Sequence, residues 1–459
     1  MKKALLIQVG LLLLAGLVQA QQRHELTVKE AVELAYKNVV ELKNVQLDYK
    51  IQEAQNKEIT GRALPQVSSN ASANYYLSLP KFLFPNAQEA GIYSVLLKEG
   101  LLPQGTRIPP VTFQQVSFQL PWNLSVGASV QQLLFQPDVF VGLQARQAAL
   151  DYATANIEQT KEKIKDSAYR RYYAILITEK QLHFIDESII RLEKLYRDDS
   201  IMYKNGFAER LDVDRVLVQL NNLRSTRSIV ENSVQLSYAA MKFALGLPQQ
   251  DVVVLKENLT TEKIKEGILE PGFKYEDRAV IRTLSQTQRL QELDVRRNRL
   301  SNLPTVALSG NYSINAMGQK FFTNPSTIWL NSSFIGLNVA LPIFDGMQRK
   351  YRIQQAQLKV QKVENTIMNV KQAIDFEQVV TWESLKNALL NLDAQERNLQ
   401  LAEKVYNTTK LKFEQGLGSS FEVLQSDADY QTAQANYFNA LYNATVARVG
   451  YLSALGRLK

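Results

Sequence analysis

Few residues of this chain could do covalent chemistry. Its 459 residues include no cysteine, which removes disulfides, thiolate nucleophiles, iron–sulfur ligation and Cys-ligated zinc, and leaves no N-terminal cysteine to carry a lipid. Two histidines are present, His24 and His183, too few for a His-rich metal site. Neither sits in a partner pattern, and both read as surface or helix-face residues. No nucleophile–base pair or ligand cluster emerges from the spacing, so the sequence predicts no enzyme, no metal and no cofactor. The polar residues that recur in a fixed setting are acids beside turns. Asp212 stands six residues after Gly206, and Glu422 six after Gly416. The positive end of a helix favours an acid there in any case, so a solvated helix start explains both residues as readily as a functional role does.

Those two settings are copies of one another. Tyr203 to Gly206 recurs as Phe413 to Gly416, Asp212-Val213 as Glu422-Val423, and Ala244-Leu245-Gly246 as Ala454-Leu455-Gly456, all 210 positions apart. Ile157 and Ile164 recur at the same offset as Ile367 and Ile374. Gly127, Val130 and Phe135 recur 209 positions on, at Gly336, Val339 and Phe344. Leu64-Pro65-Gln66-Val67 recurs 239 positions on, as Leu303-Pro304-Thr305-Val306. A fixed period of this kind is the signature of internal repeats. The change of offset places an insertion of 30 residues in the first copy, between Leu79 and Val111. That stretch holds five prolines and is predicted to be a long loop. The organisation expected is a signal peptide over 1–20, a first repeat over 21–246, a linking segment over 247–275 with a β-like run at Val252–Leu255, and a second repeat over 276–459.

The N-terminus reads as an address. Met1-Lys2-Lys3 is basic, Ala4 to Val18 is almost wholly apolar, and Val18-Gln19-Ala20 suits a signal peptidase, so cleavage is expected after Ala20. The apolar run is too short for a membrane anchor, and no later stretch reaches the length of a membrane-spanning helix. The chain's net charge of +8 is mild and unclustered, which predicts no nucleic-acid partner. Apolar residues at 45% exclude disorder.

Each copy reads as helix, strand, loop, strand, long helix, turn, helix. Residues 28–62 are predicted to form one helix capped by Thr27, with Leu34, Leu42, Val45 and Ile51 on its face. Trp122, Leu124, Val126, Ala128 and Val130 alternate with small or polar residues. So do Val306, Leu308, Tyr312 and Ile314, and then Ile335, Leu337, Val339 and Leu341. Such alternation, with aromatics expected at strand ends (Tyr75, Phe113, Trp122, Tyr312 and Trp329), fits lipid-facing strands. A soluble sandwich could alternate in the same way. Pro137 and Asp138 open one long helix over 138–203, and Asp345 is placed to cap a second over 347–413. Ile157, Ile164, Ala168, Ile175, Leu182, Ile189 and Tyr196 give the first a near-heptad apolar stripe. A helix of that length spans roughly 100 Å, and the helices predicted at 28–62 and 211–245 roughly 52 Å each. Two short helices stacked end to end would therefore match one long one. Four strands cannot close a transmembrane barrel, so the chain must oligomerise. A dimer gives eight strands and a filled lumen, a trimer twelve and a usable channel.

With Leu-Pro-x-Val at 64 and 303, Leu-Phe-x-Pro at 134, Ile-Phe-Asp-Gly at 343, the turns at Gly206 and Gly416 and Ala-Leu-Gly at 244 and 454, the chain resembles the outer-membrane efflux protein family, the TolC-like proteins, over both copies. The resemblance implies a mixed α and β membrane protein: a homotrimer with a twelve-stranded outer-membrane β-barrel continued by a long periplasmic α-helical barrel. It implies outer-membrane lipid, a periplasmic adaptor (membrane fusion protein) and an inner-membrane transporter as partners, in efflux of small molecules or type I secretion of protein. It also implies a periplasmic gate. The family's first-hairpin acid falls on Asp212 and its ring acid on Glu422, while the second ring acid falls on Gln425. The latch tyrosine falls on Phe413 and the latch arginine on Gly418, so closure is expected to rest on apolar packing, with Leu417 and Phe421 as candidates. The adaptor-facing tips fall on Gly206, Phe207 and Ala208, and on Gly416, Leu417, Gly418 and Ser419. A periplasmic coiled-coil structural or adaptor protein is the competing reading. It accounts for the helices but not for the amphipathic strands.

Overall fold

The computed structural model describes residues 22–257, 259–266, 272–321 and 325–458. The predicted signal peptide lies outside the described residues. In chain order, β1 (Arg23–Leu26) leads to α1 (Val28–Asn38), α2 (Val40–Arg62) and β2 (Gln66–Tyr75). The segment that follows carries β3 (Phe82–Asn86), α3 (Gln88–Lys98) and β4 (Thr112–Val116), and β5 (Trp122–Phe135) comes next. Then α4 (Pro137–Lys204) and α5 (Arg210–Ala244) run to β6 (Val252–Leu255) and α6 (Thr261–Lys265). The second half is α7 (Ala279–Leu300), β7 (Thr305–Gly318), β8 (Ile328–Ala340), α8 (Gln348–Glu414) and α9 (Ser420–Ala454).

Two compact units emerge. One takes residues 55–146 and 293–355 and holds a four-stranded sheet. Its order is β2-β5-β7-β8 and every neighbouring pair is antiparallel. The register sets Val67, Ala71, Ala73 and Tyr75 beside Val130, Val126, Leu124 and Trp122. Ile314 and Tyr312 stand next to these, with Leu337 and Val339 beyond in β8. One face is thus apolar, as the alternation predicts. The other face is small and hydrogen-bonded. Ser68 Oγ and Ser129 Oγ lie 2.8 Å apart, and Ser125 Oγ donates to Asn315 Oδ1 at 2.7 Å. A Cβ at Gly127 would stand 3.1 Å from Tyr312 O, so the lack of a side chain lets β5 and β7 approach closely. Tyr75, Trp122 and Phe321 cluster at one end of the sheet, with ring centroids 4.9 and 5.1 Å apart. Tyr312 lies mid-strand in β7, not at the strand end expected of it.

The 80–110 stretch is not a plain loop. Five residues of β3 pair antiparallel with β4, and the α3 helix lies between them. Its prolines punctuate these short elements without preventing them: Pro85 pairs within β3 itself, at the edge of a two-stranded sheet.

The second unit takes the described residues up to Ala54, then 147–292 and from Ala356 onward. It is helical, except for β1 and β6, which pair in parallel. The helix expected over 28–62 is two. Val39 takes φ −63°, ψ 123°, leaving the helical region and ending α1. Thr27 does cap α1: Glu30 N–H donates to its hydroxyl, and the Thr27 N–H donates back to Glu30 Oε2 at 2.8 Å. Ile51, expected on the buried face, is 53% exposed. His24 is not a partnerless surface residue. Its Nε2 lies 3.1 Å from Asp251 Oδ2, joining the start of β1 to the approach to β6. Tyr172 of α4, fully buried, donates to Leu26 O at 2.9 Å.

The helical core gathers around Leu42, Tyr172, Ile175, Met241, Leu245, Leu392 and Leu441. A second cluster, around Leu192, Val216, Leu220, Tyr406, Val423 and Tyr430, joins α4, α5, α8 and α9. Each fully buried Leu or Ile contributes about 1.5–3 kcal/mol of transfer free energy. Of the stripe on α4, Ile164, Ala168 and Ile175 are buried and Ile157, Leu182, Ile189 and Tyr196 half-buried. Helix α5 is capped by Leu245, with Gly246 at φ +65° packed against the end of α1. A Cβ at Gly246 would stand 2.9 Å from Asn38 C and O. At the corresponding place, 210 residues on, a Cβ at Gly456 would stand 2.7 Å from Asp277 O, just before α7. The short helices thus abut end to end, as the length matching predicts.

Candidate functional site

The two inter-helix turns have one design. Gly206 has φ +81° and its N–H donates to Tyr203 O, while Phe207 N–H donates to Met202 O at 2.8 Å. Gly416 has φ +75°, with Gly416 N–H to Phe413 O and Leu417 N–H to Lys412 O at 2.8 Å. This double bond past a left-handed glycine satisfies the last carbonyls of α4 and α8. Both turns display an apolar residue to solvent: Phe207 is 78% exposed and Leu417 77%. Ala208 and Gly418 are half-buried, and Gly206, Gly416 and Ser419 exposed. Ser419 caps α9, its hydroxyl accepting from Glu422 N–H at 3.3 Å.

The expected gate residues do not form one cluster. Glu422 is exposed in the first turn of α9, and its carboxylate folds back over the turn. A Cβ at Gly418 would lie 3.2 Å from its Oε2, so the glycine leaves room for that carboxylate. Gln425 donates along its own helix to Asp429 Oδ1 at 3.1 Å. Asp212 is half-buried and pairs with Arg215 at 3.5 Å. Arg215 in turn lies over the Phe421 ring at 5.2 Å, which ties α5 to α9. Phe413 packs against the second core cluster.

Between the helices that carry these turns, polar contacts accompany the apolar packing. Polar bonds tie α4 to α9 and α8. The Arg191 Nε donates to Asp427 Oδ1 at 3.0 Å, and the guanidinium carbon lies 5.3 and 5.1 Å from the Tyr406 and Tyr430 ring centres. Those rings stack at 5.9 Å. Gln431 donates to the other Asp427 oxygen. Burial pushes the Asp427 carboxyl above the usual carboxylate range, against the pull of Arg191. Two helical turns further along α4, the Ser420 hydroxyl donates to Asp199 Oδ2. Asp199 is fully buried, and burial with the nearby charges of Asp212 and Asp198 raises its pKa. Lys194 and Glu414 add an exposed bridge from α4 to α8 at 3.3 Å. The sequence reading missed Arg191, Asp199, Ser420 and Asp427. A signal existed: Val423, Asp427, Tyr430 and Gln434 fall at helical spacing on one face, so two polar residues share a stripe with apolar ones.

Among the described residues no group of acids and histidines could hold a metal ion, and no helix is long and apolar enough to cross a membrane.

Comparison with known proteins gives this arrangement relatives. Residues 278–457 match the sequence profile of the family described as outer membrane efflux protein. The outer membrane protein TolC of Vibrio cholerae is 21% identical over 346 residues, 73% of this chain and 77% of that protein. The outer membrane protein VceC of Vibrio cholerae shares the fold with a TM-score of 0.68 at 15% identity, over 94% of this chain and 96% of that one. The CmeC outer membrane channel of Campylobacter jejuni does so with a TM-score of 0.69 at 15% identity, over 94% and 85%. The chain resembles the outer membrane efflux proteins in sequence and has the fold of these channels.

Proposed function

We propose that this chain is the outer-membrane duct of a tripartite efflux or type I secretion system. It works as a homotrimer, passing small molecules or protein to the exterior, and it is not an enzyme. One observation carries the reading. The four-stranded sheet has an apolar face, a hydrogen-bonded polar face and two edge strands, β2 and β8, whose residues are almost all exposed. An exposed edge invites another strand, and a sheet apolar on one side only suits a barrel with lipid outside and a lumen within. Three copies closing edge to edge make twelve strands. The profile match and the channel relatives support this assembly.

The chain is organised as two repeats, 21–246 and 276–459, joined by 247–275. The equal hydrogen bonding of the turns at Gly206 and Gly416 and the equal packing of Gly246 and Gly456 support this division. The insertion with β3, α3 and β4 faces the exterior. The exposed turns at Gly206–Ala208 and Gly416–Ser419 are the docking points for a periplasmic adaptor, which links the duct to an inner-membrane transporter. Threefold repetition brings three copies of Glu422 around the pore entrance, where like charges attract cations through the constriction. Conductance of purified protein in planar bilayers tests this: the wild-type pore should prefer cations, and Glu422→Gln should reduce the preference. Unchanged selectivity in the variant would return Glu422 to a solvated helix start.

A further inference from the structure

Asp199 is the buried acid with the least to hold it in place. Its side chain is fully enclosed, and only one of its oxygens has a partner, the hydroxyl of Ser420. The other, Oδ1, has none among the described residues. The contact is not local. Asp199 is one turn from the end of α4, Ser420 is the first residue of α9, and 221 positions separate them.

The groups around Asp199 set its preference. On its own helix Asp198 is a second acid, and α5 brings Asp212, whose charge is shared with Arg215. From α9 comes the neutral Ser420. The Ser420 bond and the first turn of α9 favour an anion. Burial and two neighbouring acids oppose it, and they prevail.

We propose that the Asp199–Ser420 contact is a proton-dependent clasp that holds the α4/α5 hairpin against the α8/α9 hairpin. With Asp199 neutral the hairpins stay together, and its ionisation parts them. The neutral acid keeps its bond to Ser420 with no uncompensated charge in the core. When the hairpins part, water reaches the carboxyl, the proton passes to solvent, and the carboxylate is hydrated. A group that binds its proton more tightly in the closed form stabilises that form at low pH. That stabilisation is complete below the ordinary aspartate value and is lost as pH rises through the raised one. The clasp is therefore closed by acid and released as pH rises. It also gives Asp212 a role as the charge that disfavours ionised Asp199. The inference rests on reading these turns as the gated end of a duct.

The absence of native cysteine allows a direct test. Cysteines at the exposed positions Lys204 and Leu417 would carry spin labels on the two hairpins of the purified full-length protein, and their separation would be measured from pH 4 to 8. The label separation should lengthen as pH rises. Asp199→Asn, neutral at every pH, should lose the response and stay short. Asp212→Asn should move the transition to lower pH. A separation that is the same at pH 4 and pH 8, or an Asp199→Asn protein that keeps the transition, would overturn the clasp. The measurement needs no conduction, so failure of the clasp and failure of the duct reading are told apart.

Discussion

Arg191 is the charged residue set against the second core cluster. Its charge lies over two stacked tyrosine rings and against Asp427, which is 1% exposed. A charge enclosed like this is tolerated only while its partner remains. Asp427→Ala should therefore destabilise the protein by about 3–5 kcal/mol, as removal of one partner from a buried pair does. The double variant Arg191→Met/Asp427→Leu should recover most of that loss, since no charge is stranded. Urea unfolding of detergent-solubilised protein followed by circular dichroism would measure both. A double variant no more stable than Asp427→Ala would show that packing, not charge, dominates there. Little of this was legible in the sequence. Asp427 and Arg191 are 236 positions apart, and periodicity marks a buried face without naming what a charge on it will meet. The turn acids were legible as positions. That Asp212 would face Asp199, and that Glu422 would fold over Gly418, depended on side-chain directions across separate helices.

The glycines that close helices fall into two kinds. Gly206 and Gly416 face open space, so only their positive φ resists a side chain, at about 1–2 kcal/mol. Gly246 and Gly456 have positive φ as well and meet backbone within 3.0 Å where a Cβ would go. Gly246→Ala and Gly456→Ala should thus lower the melting temperature clearly more than Gly206→Ala does. Equal effects in all three would mean that the end-to-end abutment of the short helices is loose. Elements were the most legible scale. Pro137 at the start of α4, Gly206 and Gly416 at the helix ends, and the alternation in β5 and β7 all act within a few residues of themselves. The break at Val39 carries no proline or glycine. The β1–β6 pairing joins segments more than two hundred residues apart. In the insertion, proline content concealed β3, α3 and β4, because proline at an edge strand is compatible with pairing.

At the scale of the molecule, the described residues of a single chain leave two sheet edges and an apolar face without partners, and long helices with exposed apolar residues such as Phe376, Val379 and Leu390. A monomer in water would hold this surface at risk of aggregation. Lipid and further copies of the chain would remove the difficulty together. The mixed class of long helices and amphipathic strands was legible, because each period shows itself over a short window. The number of copies was not, since strand count alone permits a dimer. The most direct measurement is native mass spectrometry of the protein extracted by detergent from washed outer membranes. The protein should appear in that fraction as an assembly of three chains. Recovery of a single chain from the soluble fraction without detergent would contradict it.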